Sequence, residues 1–71
     1  MAAGLTELEK ARSALTHNPI LSLRNLDVEQ AGDAIVISGR VRSFYEKQMA
    51  QEAIRAVCQG VQLQNTVNVK D

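Results

Sequence analysis

The sequence is poor in aromatic residues and has no excess charge. It contains one Phe, one Tyr and no Trp among 71 residues. A stacking platform for single-stranded nucleic acid needs several aromatic rings on one face, so this mode of binding is not expected. Eight basic and eight acidic side chains give a formal net charge of zero. Nucleic-acid binders usually carry a basic excess, and we therefore predict no nucleic-acid partner.

Reactive and metal-ligating residue types are equally scarce. Cys58 is the single cysteine and His17 the single histidine. No intramolecular disulfide can form, and a metal site would lack the roughly three or four ligands it requires. No oxyanion-hole motif accompanies Cys58 or His17, which disfavours a nucleophile–base pair. The sequence therefore predicts no enzyme, with no catalytic residue, no metal and no cofactor.

Long hydrophobic runs are absent as well. No stretch approaches the roughly 20 apolar residues needed to span a bilayer. The start, MAAGLTELEK, lacks the basic and apolar regions of a signal peptide. Two compartments are consistent with this sequence. The protein is cytoplasmic, or the chain is a domain of a longer exported protein of the envelope. The length predicts one small domain at residues 6–71, preceded by a loosely ordered start at residues 1–5.

The first helix is predicted at about residues 6–16. Thr6 and Glu9 have the spacing of a capping box, and apolar residues follow at helical intervals. The helix should end before Pro19, because proline disfavours helical geometry in the preceding residue.

A second helix is predicted to begin after Ser43. Ser43 and Glu46 repeat the capping-box spacing. Small and apolar residues around Ala50 form the expected buried stripe. Gly60 should end the helix in a left-handed conformation.

Three stretches alternate between apolar and polar residues, which is typical of half-buried strands. They are residues 20–30, 34–42 and 61–70. The short turn at 31–33 predicts that the first two strands form an antiparallel hairpin. The order is therefore α-β-β-α-β. We predict an α+β fold, a two-layer sandwich with two helices on one face of a mixed three-stranded sheet.

Two residues interrupt the apolar side of the predicted sheet. Gly39 falls on the face expected under the helices, where a missing side chain would let a helix approach closely. Asn65 is the one polar residue on the apolar side of the last strand. It needs hydrogen-bond partners there, so we expect it to link strand and helix backbones. Gly39, Gly60 and Asn65 are thus predicted to be structural residues.

The order of these elements and three short motifs resemble the BON domain (bacterial OsmY and nodulation) family over residues 6–70. The motifs are Ile35-x-Ile37-x-Gly39-x-Val41, the helix from Met49-Ala50 to Val57, and Gly60-Val61 followed by Asn65-x-Val67-x-Val69. One departure is that Val61 and Leu63 are separated by one residue, where the family usually has two. The register of the last strand therefore stays open.

The resemblance implies a binding module and not an enzyme. BON domains occur mostly in bacterial envelope proteins, often as tandem copies or attached to channels and secretion components. Attachment to phospholipid surfaces is the role usually proposed for them. The expected partners are therefore a phospholipid surface or an envelope protein, and the family suggests the periplasm or envelope.

A candidate anion- or lipid-binding site lies where the second strand meets the second helix. Basic side chains cluster there beside the free amides of the helix N-terminus, which favour anions. Two aromatic residues follow directly and would insert into lipid if exposed. We call this set the basic corner; it comprises Arg40, Arg42, Phe44, Tyr45 and Lys47. The alternative is a solvated surface in which Asp27 and Glu29 pair with the arginines and Phe44 folds under the helix.

A second hypothesis is a protein-interaction or oligomerisation module. Exposed strand edges are natural pairing sites, and a weak homo-oligomer would form through one. The open sheet face offers a further polar surface made of Ser38, Gln62, Gln64, Thr66 and Asn68.

Overall fold

The computed structural model describes residues 6–70. The predicted loose start at residues 1–5 lies outside the described residues. The described chain forms two α-helices, one short 3-10 helix and five strand segments. They are α1 (Glu7–Thr16), the 3-10 helix (Leu21–Asn25), β1 (Asp27–Ala31), β2 (Ala34–Ser38), β3 (Arg40–Val41), α2 (Phe44–Val57), β4 (Gln62–Asn65) and β5 (Asn68–Val69). The predicted α+β fold and its order are confirmed, with the second and third strands each divided in two.

Both α-helices begin at side-chain caps. Thr6 Oγ1 accepts from the Glu9 backbone N–H at 3.1 Å, and Glu9 Oε1 accepts from the Thr6 N–H at 3.0 Å. This capping box is confirmed. At α2, Ser43 Oγ accepts from the Glu46 N–H at 3.2 Å, but the Glu46 carboxylate accepts from Arg42 and not from Ser43. The second predicted box is therefore only half formed, because the carboxylate reaches one residue further back.

The three-stranded sheet has the order β1-β2-β4. β1 and β2 form the predicted antiparallel hairpin, with Ala31 opposite Ala34 across a two-residue turn. Gly32 has a positive φ of 61° at the first turn position, a sign that glycine adopts without steric cost. β4 runs parallel to β2 after the α2 crossover, so the sheet is mixed.

The break between β2 and β3 leaves the parallel register unchanged. Ala34 pairs with Gln62 and Val41 pairs with Val69, so the partner lies 28 positions later in both ladders. The Asn68 N–H donates to the Gly39 carbonyl at 2.9 Å and continues the pairing across the break. The register of the last strand, which the sequence left open, is therefore the same in the β2–β4 pair and in the β3–β5 pair.

The prediction of a strand across residues 20–30 is wrong in its first half. Leu21–Asn25 is a 3-10 helix, and the strand begins at Asp27. Leu23 and Leu26 are three residues apart, which is one turn of a 3-10 helix, and both are buried. The alternation seen at Leu26 and Val28 belongs to the strand alone.

The core lies between the helices and the inner face of the sheet. β2 supplies Ile35 and Ile37, both fully buried. Burying a side chain of this size stabilises the fold by about 1.5–3 kcal/mol. The helices cover these residues with small and branched side chains, namely Ala11, Leu15, Ala50 and Ile54. Small residues at the centre of each helix let both helices pack on the same face.

Gly39 is conformationally special, but its close neighbour is not a helix residue. Its φ is 130°, a value that residues with a side chain rarely adopt. A Cβ at this position would lie 2.7 Å from Leu26 Cδ2 and 3.5 Å from Leu26 Cα. The chain that approaches Gly39 is therefore the segment after the 3-10 helix, which the sequence analysis did not predict.

Candidate functional site

The two arginines of the basic corner lie at one end of the sheet, Arg40 in β3 and Arg42 in the bend that follows it. Arg40 and Arg42 are exposed, while Val41 between them is buried. Arg40 pairs with Asn68 of β5, and the Lys70 N–H donates to the Val41 carbonyl at 2.8 Å. Arg42 and Lys70 directly follow the last pair of this ladder, Val41 and Val69. Lys70 adds a third exposed basic residue that sequence reasoning missed.

Ion pairing with β1 does not occur in the described part of the chain. β1 begins with Asp27 opposite Ser38, so Arg40 and Arg42 lie beyond the end of that strand. Within residues 6–70 the one ion pair joins Lys10 and Glu7 at 3.1 Å. The guanidinium groups of Arg40 and Arg42 consequently have no acidic partner among the described residues.

Three large apolar side chains are exposed near these arginines. Phe44 and Tyr45 begin α2 and are 75% and 67% exposed, so Phe44 does not fold under the helix. Leu21 in the 3-10 helix is 69% exposed. Leu21 was missed because its segment was interpreted as a strand. Leu21 lines the same cavity as Arg42, and Phe44 and Tyr45 follow Arg42 closely in the chain.

Lys47 takes a different position from the rest of the basic corner. It is half-buried, and its backbone carbonyl accepts from Asn65 Nδ2 at 2.9 Å. The other four residues of the basic corner are exposed, so Lys47 differs from them in burial.

A cavity of about 440 Å³ opens between the 3-10 helix and the start of α2. It is lined by Ile20, Leu21, Ser22, Asn25, Arg42 and Glu46. The hydrogen bond from the Arg42 N–H, 2.9 Å long, lowers the pKa of Glu46, and the nearby Ser22 hydroxyl acts in the same direction. Ser22 Oγ is buried without a partner at hydrogen-bond geometry within residues 6–70, so we attribute its effect on Glu46 to proximity.

The carboxylate of Glu46 changes the expected anion site at the start of α2. It lies at the same helix end whose free amides were expected to attract an anion. A negative charge there offsets the helix dipole, and an added anion gains less. The helix N-terminus itself is therefore a weaker anion site than the sequence predicted.

Asn65 links the last strand to α2, and Gly60 lies between them. The Asn65 amide donates to the Lys47 carbonyl, and its Oδ1 accepts from the Val67 N–H at 3.2 Å. Gly60 has a φ of 81°, in the left-handed region. α2 ends at Val57, three residues before this glycine.

The polar residues predicted for the open sheet face are mostly exposed in the structure. Gln62, Gln64 and Asn68 are exposed, and Thr66 Oγ1 donates to the Ile37 carbonyl. On the outer strand β1, Arg12 Nε donates to the Val28 carbonyl at 3.2 Å and occupies one of its acceptors. Pairing through these surfaces stays a prediction.

Cys58 and His17 are far apart in the structure. Cys58 is 3% exposed, and its Sγ donates to the Glu7 carbonyl at 3.3 Å at the start of α1. Burial raises the pKa of the thiol, and the Glu7 charge adds to that rise. His17 caps the other end of α1 and contacts Ser13. The two side chains therefore do not form a dyad.

The described residues offer neither a metal-ligand cluster nor a membrane-spanning helix. Residues 6–70 contain no group of three or more acidic, histidine or cysteine side chains placed to hold a metal ion. Neither α-helix in this range has the length and apolar character needed to cross a membrane.

Comparison with known proteins agrees with the fold. The family model of the BON domain, a binding-type domain, matches residues 8–71, nearly the whole chain. No curated protein matches the chain significantly. The matched residues include nearly all of α1, all of α2, the hairpin, the glycine between β2 and β3 and the last strands. The chain therefore belongs to the BON domain family.

Proposed function

We propose that this BON domain attaches weakly to anionic phospholipid surfaces through the basic corner, with Leu21 and Lys70 beside it. The observation that carries the proposal is the exposure of Phe44 and Tyr45 next to two arginines without acidic partners in the described chain. Basic side chains are drawn to anionic headgroups, and exposed aromatic rings enter the interface between headgroups and acyl chains.

The expected affinity is low. Each basic side chain near an anionic surface contributes about 1 kcal/mol. Arg40, Arg42 and Lys70 together supply about 3 kcal/mol, which falls below the roughly 4 kcal/mol of a millimolar complex. Insertion of Phe44, Tyr45 and Leu21 adds to this, so submillimolar attachment is a reasonable expectation. Repeated domains on one chain would strengthen it further through avidity.

The test is sedimentation with vesicles of phosphatidylglycerol and phosphatidylcholine, compared with phosphatidylcholine alone, at low and high salt. The proposal predicts binding to the anionic vesicles that decreases as salt is added, because surface charges are screened. Arg40→Glu should weaken this binding severalfold. Arg55→Glu is the matched control: Arg55 is also exposed, changes the net charge equally and lies about 16 Å along α2 from Phe44.

Two outcomes would contradict the proposal. One is equal binding to neutral and anionic vesicles, or none to either. The other is equal weakening by Arg40→Glu and Arg55→Glu, which would reflect net charge alone. If instead the protein forms a concentration-dependent dimer that salt barely affects, pairing through a strand edge becomes the better account.

A further inference from the structure

The cavity beside α2 holds two opposite charges that do not pair with each other. Arg42 and Glu46 both line it, yet no ion pair joins their side chains. The Glu46 carboxylate accepts from the backbone N–H of Arg42, and the Arg42 charge helps to lower the pKa of Glu46 although the two side chains form no ion pair. A cation and an anion separated within one cavity of about 440 Å³ match a ligand that also carries both charges.

The hydrogen-bonding groups of the cavity are incompletely used. Glu46 Oε1 accepts from Arg42, while Oε2 accepts no hydrogen bond in the described chain. Ser22 Oγ is buried and has no partner within residues 6–70. Ser22 Oγ has almost no accessible surface and its hydroxyl acts on Glu46, so a ligand in the cavity would meet the Glu46 carboxylate and not this hydroxyl.

The other residues that line the cavity include one polar and two apolar side chains. Asn25 adds a side-chain amide, and Ile20 and Leu21 add an apolar wall on the side of the 3-10 helix. Leu21 is mostly exposed, and so are Phe44 and Tyr45. A polar headgroup within the cavity would thus leave its apolar continuation against exposed apolar side chains.

We infer that this cavity binds a phosphoethanolamine group, with Arg42 holding the phosphate and Glu46 the primary ammonium. Arg42 offers a fork of N–H donors to phosphate oxygens. The ammonium group has three N–H donors, and a carboxylate with a free oxygen accepts from them. Asn25, which also lines the cavity, supplies a further polar contact. The inference rests on the proposed function in assigning this end of the domain to lipid, and it adds a headgroup preference.

The ligand chemistry predicts a specific order among three soluble probes. Glycerophosphoethanolamine carries both groups. Glycerophosphoglycerol lacks the ammonium, and glycerophosphocholine carries a quaternary nitrogen without N–H donors. Losing one charge-assisted hydrogen bond costs roughly tenfold in affinity, so the first probe should bind about tenfold more tightly than either other.

The experiment is a two-dimensional amide NMR titration of the whole chain with each probe to about 50 mM, a range that detects weak millimolar binding. We expect saturable shifts of the amide signals around Ser22, Asn25, Arg42 and Glu46. Glycerophosphoethanolamine should produce them at lower concentrations than the other two probes. Glu46→Gln keeps an oxygen that can accept from the Arg42 N–H but removes the charge. It should abolish the preference over glycerophosphoglycerol, whereas Glu29→Gln on the outer strand should leave the preference unchanged.

Equal shifts with all three probes, no shifts with any, or a preference that survives Glu46→Gln would overturn the inference. Vesicles separate this failure from failure of the proposed function. Retained salt-sensitive binding to anionic vesicles with no headgroup preference removes the cavity proposal alone. Headgroup binding without any vesicle binding removes the proposed function and assigns the cavity to soluble phosphoethanolamine esters. Stronger attachment to vesicles containing phosphatidylethanolamine identifies the lipid as the source.

Discussion

The side-chain amide of Asn65 donates to the backbone carbonyl of Lys47 at 2.9 Å and joins β4 to α2. The same side chain accepts from the Val67 N–H through its Oδ1. One half-buried residue thus satisfies backbone groups of both a helix and the adjoining strand break.

Replacing Asn65 should destabilise the domain. Asn65→Ala removes the bonds to Lys47 and Val67 and a longer one to Gln51, and it leaves the Val67 N–H without a partner, which costs about 1–3 kcal/mol. Urea denaturation followed by circular dichroism measures the difference. Asn68→Ala is the control, because Asn68 is exposed and its side chain makes no hydrogen bond in the described chain. Equal effects of the two substitutions would show that the Asn65 bonds add nothing.

Gly39→Ala should be more damaging than Gly32→Ala. Both glycines have positive φ, so each alanine carries backbone strain of about 1–3 kcal/mol. At Gly39 the new Cβ would also lie 2.7 Å from Leu26 Cδ2, whereas nothing lies within 4 Å at Gly32. Thermal unfolding of both variants ranks the losses. A Gly32→Ala loss as large as that of Gly39→Ala would contradict a role for the Leu26 contact.

The contribution of Glu46 to stability should be present near neutral pH and lost in acid. The pKa of Glu46 is lowered from 4.5, chiefly by the hydrogen bond from Arg42, so the folded state favours the carboxylate. This contribution is present above pH 4.5 and is lost as pH falls through the lower folded value. Unfolding free energies of the natural protein and Glu46→Gln should therefore differ near neutral pH and converge in acid. A difference that stays constant with pH would argue against this linkage.

Phe44→Ser and Tyr45→Ser should preserve stability but weaken attachment to anionic vesicles. Both side chains are mostly exposed, so changing them removes little from the core and should cost less than about 0.5 kcal/mol in unfolding. Vesicle sedimentation and thermal unfolding measure the two effects separately. Val57→Ser at the far end of α2 serves as the control, since Val57 is also exposed. Unchanged vesicle binding in both aromatic variants would remove them from the site.

The sequence predicted those parts of the fold that depend on local periodicity. The α1 capping box, the hairpin turn at Gly32 and the alternation from Val61 to Lys70 all follow from neighbouring residues. The 3-10 helix was missed because Leu23 and Leu26 become buried only when that segment folds over the sheet. Such a short helix has no long periodic pattern to reveal it.

Only part of the candidate site could likewise be predicted from neighbouring residues in the sequence. Arg40 and Arg42 were assigned to the outer face from alternation alone, and both are exposed. Lys70 joins them only through the pairing of β3 with β5, which is fixed by the length of the α2 crossover. The cavity depends on the 3-10 helix, so its charges could not be brought together from sequence.

Paired residues of the parallel strands are always 28 positions apart, and this even number decides which side chains of the last strand face the core. One residue inserted between α2 and β4 and carried into the strand would exchange inner for outer positions along it. Val67 would turn outward, and Lys70 would turn towards the core. Length changes in this crossover are therefore tolerated only where the loop absorbs them before Gln62, or in pairs. The register that buries Val67 therefore also places Lys70 at the end of the sheet where Arg42 lies.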